Sequence, residues 1–174
     1  NKELHHFLFH EMRWTAKEIA ETKEGLSIKT LELPPPLVVA FHIFRHWRIV
    51  RALNVFGLSR SIGKQTGKIN SSGAALGIIT VPEVTASASV HAGRLLQRVW
   101  LTVTKQGMYM HPLNAIVLLY QRIRTGDTKG FALNDIILIE EEYKKIADAF
   151  SLRDGYILFL FRIGKSDPPS ALSP

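Results

Sequence analysis

The chain of 174 residues contains no cysteine. That excludes a disulfide scaffold, a thiolate metal site and a thiol nucleophile, and it fits the cytoplasmic location expected for this protein. Long hydrophobic runs are missing too. No apolar stretch approaches the roughly 18 to 20 residues needed to cross a bilayer, so no membrane span is expected. No charged n-region precedes a short apolar core, so no signal peptide is visible. The start at Asn1 rather than Met is compatible with a processed product or a piece of a longer chain. A further absence is local. Between Leu33 and Pro82 there is no acidic residue, yet Arg45, Arg48, Arg51, Arg60, Lys64 and Lys68 all fall there and carry most of the formal charge of +7. Such a block can meet phosphate, an anionic lipid surface or an acidic partner. Otherwise it is a solvated helix face with counter-charges elsewhere in the fold.

Familiar catalytic signatures are also absent. No serine sits in a Gly-x-Ser-x-Gly turn, "GKQTGK" lacks the spacing of a phosphate-binding loop, and no glycine fingerprint of a dinucleotide fold occurs. His6 and His10 stand one helical turn apart beside His5. Glu11 lies about 100° round the helix from His10, so a third ligand at metal spacing is lacking and no metal site is assigned. His42 and His46 repeat the spacing inside an aromatic, basic segment, where a packing role is expected. No side chain is assigned a catalytic role.

What is present is periodic. Residues 3–23 carry Leu4, Phe7, Leu8, Met12 and Ile19 at helical intervals before Gly25, which predicts one or two helices. "LSIKTLELPPP" reads as a connector. A helix is predicted over 36–56, proline at its first turn and Gly57 past its end, followed by a short basic helix in "LSRSIGKQTGK". "GAALGIITV" is short, apolar and bounded by turn residues, which predicts a strand. After the loop "PEVTASAS", a helix is predicted over 90–106 with Ser89 as N-cap, and Ala92, Leu95, Leu96, Val99, Trp100 and Val103 form its apolar stripe. Leu101 lies off that stripe among basic residues.

"MYMHPLN" should be extended, a helix should occupy 115–124, and "TGDTKG" should turn. A helix over 133–150 follows, with Ile136, Ile139, Tyr143, Ile146 and Phe150 on one side and Glu140–Lys144 and Glu141–Lys145 as supporting pairs. "GYILFLFRIG" is a continuous apolar run of strand length and predicts a central strand buried on both faces. Together these predict one helix-rich α+β domain over 1–174, with few strands and a flexible tail over 166–174.

Two stretches carry a resemblance. "AGRLLQRVWLTVTKQGMYMHPLNA", followed later by "GYILFLFRIGKSDPP", resembles the C-terminal half of the nitroreductase-like, FMN-binding superfamily. The upstream "RWTAKEIAETKEGLSIKTLELPP" and "LSRSIGKQTGKINSSGAALGIITV" look like a larger subgroup of it, so the similarity covers most of the chain. The resemblance implies a central antiparallel or mixed sheet flanked by helices. It also implies a homodimer with flavin sites between subunits, and transfer of two electrons from NAD(P)H through FMN to a nitro, quinone-like or related acceptor. No nucleic acid is implied as a partner. Carried over by position, Pro112, Leu113, Asn114 and Ala115 would lie beside the isoalloxazine ring with backbone amides near its N5 and O4. Lys165 would be the cation after the last strand.

Two departures qualify the match. The family's arginine-rich phosphate motif has no counterpart in residues 1–30, where Arg13 stands alone, and only Lys165 is available after the final Ile-Gly. A chain without that anchor should bind FMN poorly by itself. The chain then reads either as the C-terminal half of a longer oxidoreductase or as a flavin-free relative. The relative would be a binding or sequestering module acting through its basic amphipathic helix.

Overall fold

The computed structural model describes residues 1–22, 24–31 and 33–168. The chain divides into two compact units, residues 1–66 with Asp167 and Pro168, and Gly67–Ser166. Both are helix-rich. A three-stranded antiparallel sheet belongs to the second, and a two-stranded parallel pair belongs to the first.

The first unit opens with α1 (Lys2–Glu11), capped by Asn1, whose Oδ1 accepts from the amides of Glu3 at 3.0 Å and Leu4 at 3.2 Å. The periodicity of residues 3–23 resolves into two helices, because the chain leaves α1 as β1 (Met12–Arg13) before α2 (Ala16–Thr22). A reciprocal cap starts α2. Glu18 Oε2 accepts from the amides of Trp14 at 2.7 Å and Thr15 at 3.2 Å, while Thr15 Oγ1 accepts from the Glu18 amide at 3.2 Å. Gly25, at φ +91°, turns the chain into β2 (Leu26–Ser27), which pairs in parallel with β1. The connector therefore holds a strand and then a 3-10 turn, Ile28–Leu31.

The helix predicted over 36–56 is two helices, α3 (Pro35–Phe44) and α4 (Trp47–Val55). His46 leaves the helical region at φ −86°, ψ 102°, and the break serves an aromatic cluster. His5 Nε2 lies 2.8 Å from the Phe44 carbonyl oxygen, and the His5 ring packs 5.2 Å from that of Trp47. Trp14 packs 4.5 Å from His42, so packing is what that histidine does. α5 (Leu58–Ser71) follows, longer than the predicted basic helix.

In the second unit, β3 (Ala75–Val81), α6 (Ala86–Lys105), β4 (Tyr109–Pro112), α7 (Ala115–Arg124), α8 (Leu133–Ala149) and β5 (Tyr156–Gly164) succeed one another. The sheet order is β3-β5-β4, so the last strand is central, as its composition predicts. Side chains alternate across a strand, and β5 uses both faces. Phe161 joins Ile79, Val81, Ala92, Val103 and Met110 on the α6 side, while Ile157 and Leu160 join Val117 and Tyr143 on the α7–α8 side. Gly155, at φ +92°, leads into β5 so close to Val81 that an added Cβ would meet its carbonyl oxygen at 2.6 Å.

Three details differ from expectation. α6 begins four residues earlier than 90: Thr85 is the N-cap, accepting from the Ala88 amide at 3.1 Å, and Ser89 instead donates its hydroxyl to Thr85 O at 2.9 Å. Its buried seam is narrower than the apolar stripe, because Ala92 and Val103 are buried while Leu95 and Trp100 are exposed; Leu101, expected off the stripe, is exposed too. On α8, Lys145 reaches Glu142 at 2.6 Å rather than Glu141. No described helix is long and apolar enough to cross a membrane. Of the tail expected over 166–174, residues 169–174 lie outside the described residues.

Candidate functional site

The segment expected to border a flavin lies where β4 gives way to α7. Pro112 closes β4 opposite Phe161, and the Leu113 amide donates to the Leu160 carbonyl at 2.8 Å. Asn114 then takes over from the backbone. Its Oδ1 accepts from the Leu160 amide at 2.8 Å and its Nδ2 donates to the Leu158 carbonyl at 3.3 Å, so a side chain extends the pairing of β5 by one more step. Ala115 starts α7.

The result is a ledge along the central strand. Pro112 and Ala115 are exposed, and Leu113 and Asn114 are half-buried. Proline has no amide and that of Leu113 is committed to the sheet, whereas the amides of Asn114 and Ala115 have no protein acceptor among the described residues. They stand at the N-terminal end of α7, where the helix dipole adds partial positive charge. Lys165, expected as the cation of the same site, is not brought to this segment. Lys165 follows Gly164, which pairs with Tyr109 at the other end of β4 from Pro112, about 10 Å along the strand. Arg13 is committed within the first unit, donating to the His10 carbonyl at 2.8 Å and to Thr22 Oγ1 at 3.1 Å.

His111, next to the ledge, lies directly opposite Arg162 of β5. His111 is exposed at the surface, and partial desolvation first and the Arg162 charge second lower its imidazole pKa from the ordinary value. Because the folded-state value lies below that of the unfolded chain, the neutral ring favours the fold. That contribution is complete above about pH 6.5 and is lost as the pH falls below it. A proton NMR titration should place the His111 midpoint below that of a histidine peptide. Arg162→Gln should move it part of the way back, and an unmoved midpoint would refute the charge coupling.

A second concavity was not expected from sequence. A cavity of about 530 Å³ lies where α7 and α8 meet the start of β5 and the loop at Glu83. Tyr120 and Tyr143 stack there, with centroids 3.6 Å apart and planes 10° from parallel. The Tyr143 hydroxyl accepts from the buried Ile157 amide at 2.8 Å, and burial raises the pKa of that phenol more than this bond lowers it. Arg124 Nη2 donates to the Tyr156 hydroxyl at 3.1 Å, and its guanidinium stands 5.0 Å from the centre of the Tyr156 ring. Hydrogen bonds to Tyr120 and then Tyr156 raise the Arg124 pKa further. Neighbouring Arg122 is held by Asp127 at 2.6 Å and by the Lys129 carbonyl at 2.8 Å. The one sequence signal was Tyr120 and Arg124 at helical spacing. Tyr143 and Tyr156 come from other elements, and no short motif joins them.

Among the described residues no group of three or more His, Asp or Glu side chains could hold a metal ion. His10 instead contacts Glu11 at 3.1 Å. No family model matches the chain, and comparison with curated proteins and with solved structures likewise gives no match.

Proposed function

We propose that the chain is one part of an FMN-dependent oxidoreductase of nitroreductase type. In this reading the ledge of Pro112, Leu113, Asn114 and Ala115 borders the flavin ring. Two electrons pass from NAD(P)H to a nitro, quinone-like or related acceptor. The observation that carries it is the pair of amides, Asn114 and Ala115, without a protein acceptor among the described residues, on a segment where the Leu113 amide and the Asn114 side chain are spent on β5. A bound flavin supplies the redox chemistry, and the protein's share is position and electrostatics. The carboxamide of Asn114 fixes the path of the ledge, the two amides orient one ring edge, and the α7 terminus favours extra electron density there. Exposed Pro112 and Ala115 leave the ledge open on one side, which suits a site closed by a second subunit in a homodimer.

Titrating the chain into FMN and into riboflavin, with flavin fluorescence as the readout, tests this. Quenching should be saturable, should strengthen with protein concentration, and should differ little between the two ligands, since Lys165 stands away from the ledge. NADH or NADPH should then bleach the bound flavin's visible absorbance. No quenching at any protein concentration would overturn the reading.

A second reading is favoured by one observation. Arg45, Arg48, Arg51, Arg60, Lys64 and Lys68 are all exposed, and none takes part in an ion pair among the described residues. In the first unit Val55 and Phe56, at the end of α4, are exposed at 83% and 88%. A basic helix edged with apolar residues suits an anionic lipid surface, as expected of a flavin-free binding module. Vesicles containing phosphatidylserine should then retain the chain at low salt and release it at high salt. Arg45→Glu, Arg48→Glu and Arg51→Glu together should abolish retention, and indifference to them would discard this reading.

A further inference from the structure

We propose that the tyrosine-lined cavity beside Arg124 binds a small planar carboxylate, an aromatic monoanion. The site is separate from the flavin ledge and does not rest on it. α7 has ten residues from Ala115 to Arg124, which puts the two ends about 14 Å apart.

Surface and charge narrow the ligand. A volume of about 530 Å³ is ordinary for a small-molecule site. The walls combine aromatic rings from Tyr120, Tyr143 and Tyr156 with the apolar side chains of Val84 and Leu118. Such walls reward a flat ring over a flexible chain, because aromatic faces and edges meet a planar partner without ordering rotors. The charge count then selects the polar end. The Arg122 guanidinium is met by Asp127, whereas Arg124 has no carboxylate partner among the described residues. Its guanidinium is already oriented by the Tyr156 hydroxyl and ring. Contacts with the Tyr120 and Tyr156 hydroxyls do not use all five donors of the guanidinium, and the planar fork matches a carboxylate with two parallel bonds. Glu83, without an ion pair among the described residues, lines the same cavity. The Glu83 carboxylate opposes negative charge in the cavity and opposes a dianion more than a monoanion, which argues against phosphate esters and nucleotides.

The probes are 1-naphthoate, its neutral analogue 1-naphthalenemethanol, the dianion 1-naphthyl phosphate, and inorganic sulfate. They are titrated into the full chain by calorimetry and ligand-observed NMR. Saturable naphthoate binding is expected, with the alcohol weaker by about tenfold or more, as for loss of a charge-assisted pair. Arg124→Gln should cost naphthoate about tenfold with little effect on the alcohol. Arg124→Lys, which keeps the charge and loses the fork, should cost several-fold and serves if the glutamine variant does not fold. Glu83→Gln should narrow the gap between naphthoate and naphthyl phosphate. Equal binding of alcohol and carboxylate, equal binding by Arg124→Gln and the parent chain, or sulfate binding as tightly as naphthoate would each overturn the proposal.

Discussion

Ile157→Ala should lower the stability of the second unit by about 3 kcal/mol, the middle of the range for emptying a buried isoleucine site. The side chain is fully buried in the central strand, with Val117, also fully buried, and Tyr143 in the same cluster. Its backbone is held on both sides, the amide by the Tyr143 hydroxyl at 2.8 Å and the carbonyl by Gln121 Nε2 at 3.4 Å. Neighbours tied down in this way cannot easily close over the void, so the cavity cost adds to the transfer cost. A domain of this size has only about 5 to 15 kcal/mol in all, so the loss should be plain in urea denaturation. Leu133→Ala, at a site 71% exposed, is the comparison and should change stability by less than about 0.5 kcal/mol. If the two substitutions cost the same, the β5–α7–α8 layer is not a packed core.

The second large effect concerns the ledge. Asn114→Leu keeps the approximate volume and removes both side-chain bonds to β5, leaving the Leu160 amide and the Leu158 carbonyl without those partners. A half-buried donor stranded in a sheet should cost about 2 kcal/mol. Asn114→Asp should cost less, because a carboxylate still accepts from the Leu160 amide even though it cannot donate to Leu158. Hydrogen exchange at the Leu160 amide reads this directly. It should speed up markedly in the leucine variant and little in the aspartate one. Under the flavin reading the leucine variant should also quench flavin less, since the amides of positions 114 and 115 lose their fixed position. Equal exchange in both variants would show that the carboxamide does not hold the strand.

These residues show where sequence reading succeeds. β5 is legible because nine residues of nearly unbroken apolar character have few places to go except the middle of a sheet. α8 is legible for the same kind of reason, with Ile139 and Tyr143 buried at helical spacing. Choices between near-equal alternatives are not. Thr85 and Ser89 are both sound caps, and the chain selects the earlier one. The break between α3 and α4 leaves the 3.6-residue period almost intact while turning Trp47 toward His5, a partner more than 40 residues away in the chain. The course of the ledge, an extended segment leading into a helix, could be read in advance, but the task of Asn114 could not, since a strap onto Leu158 and Leu160 exists only once the strands are aligned. The tyrosine cavity is harder still, because positions 120, 143 and 156 meet through α7, α8 and β5 together.

The strand order has a bearing on how the molecule is made. β5 lies between β3 and β4 yet emerges last from the ribosome. Until it arrives, both earlier strands lack their neighbour and present open hydrogen-bonding edges. At translation speeds of about 5 to 20 residues per second, β3 waits on the order of ten seconds for residues 156–164. During that interval those edges are open to pairing with a neighbouring polypeptide.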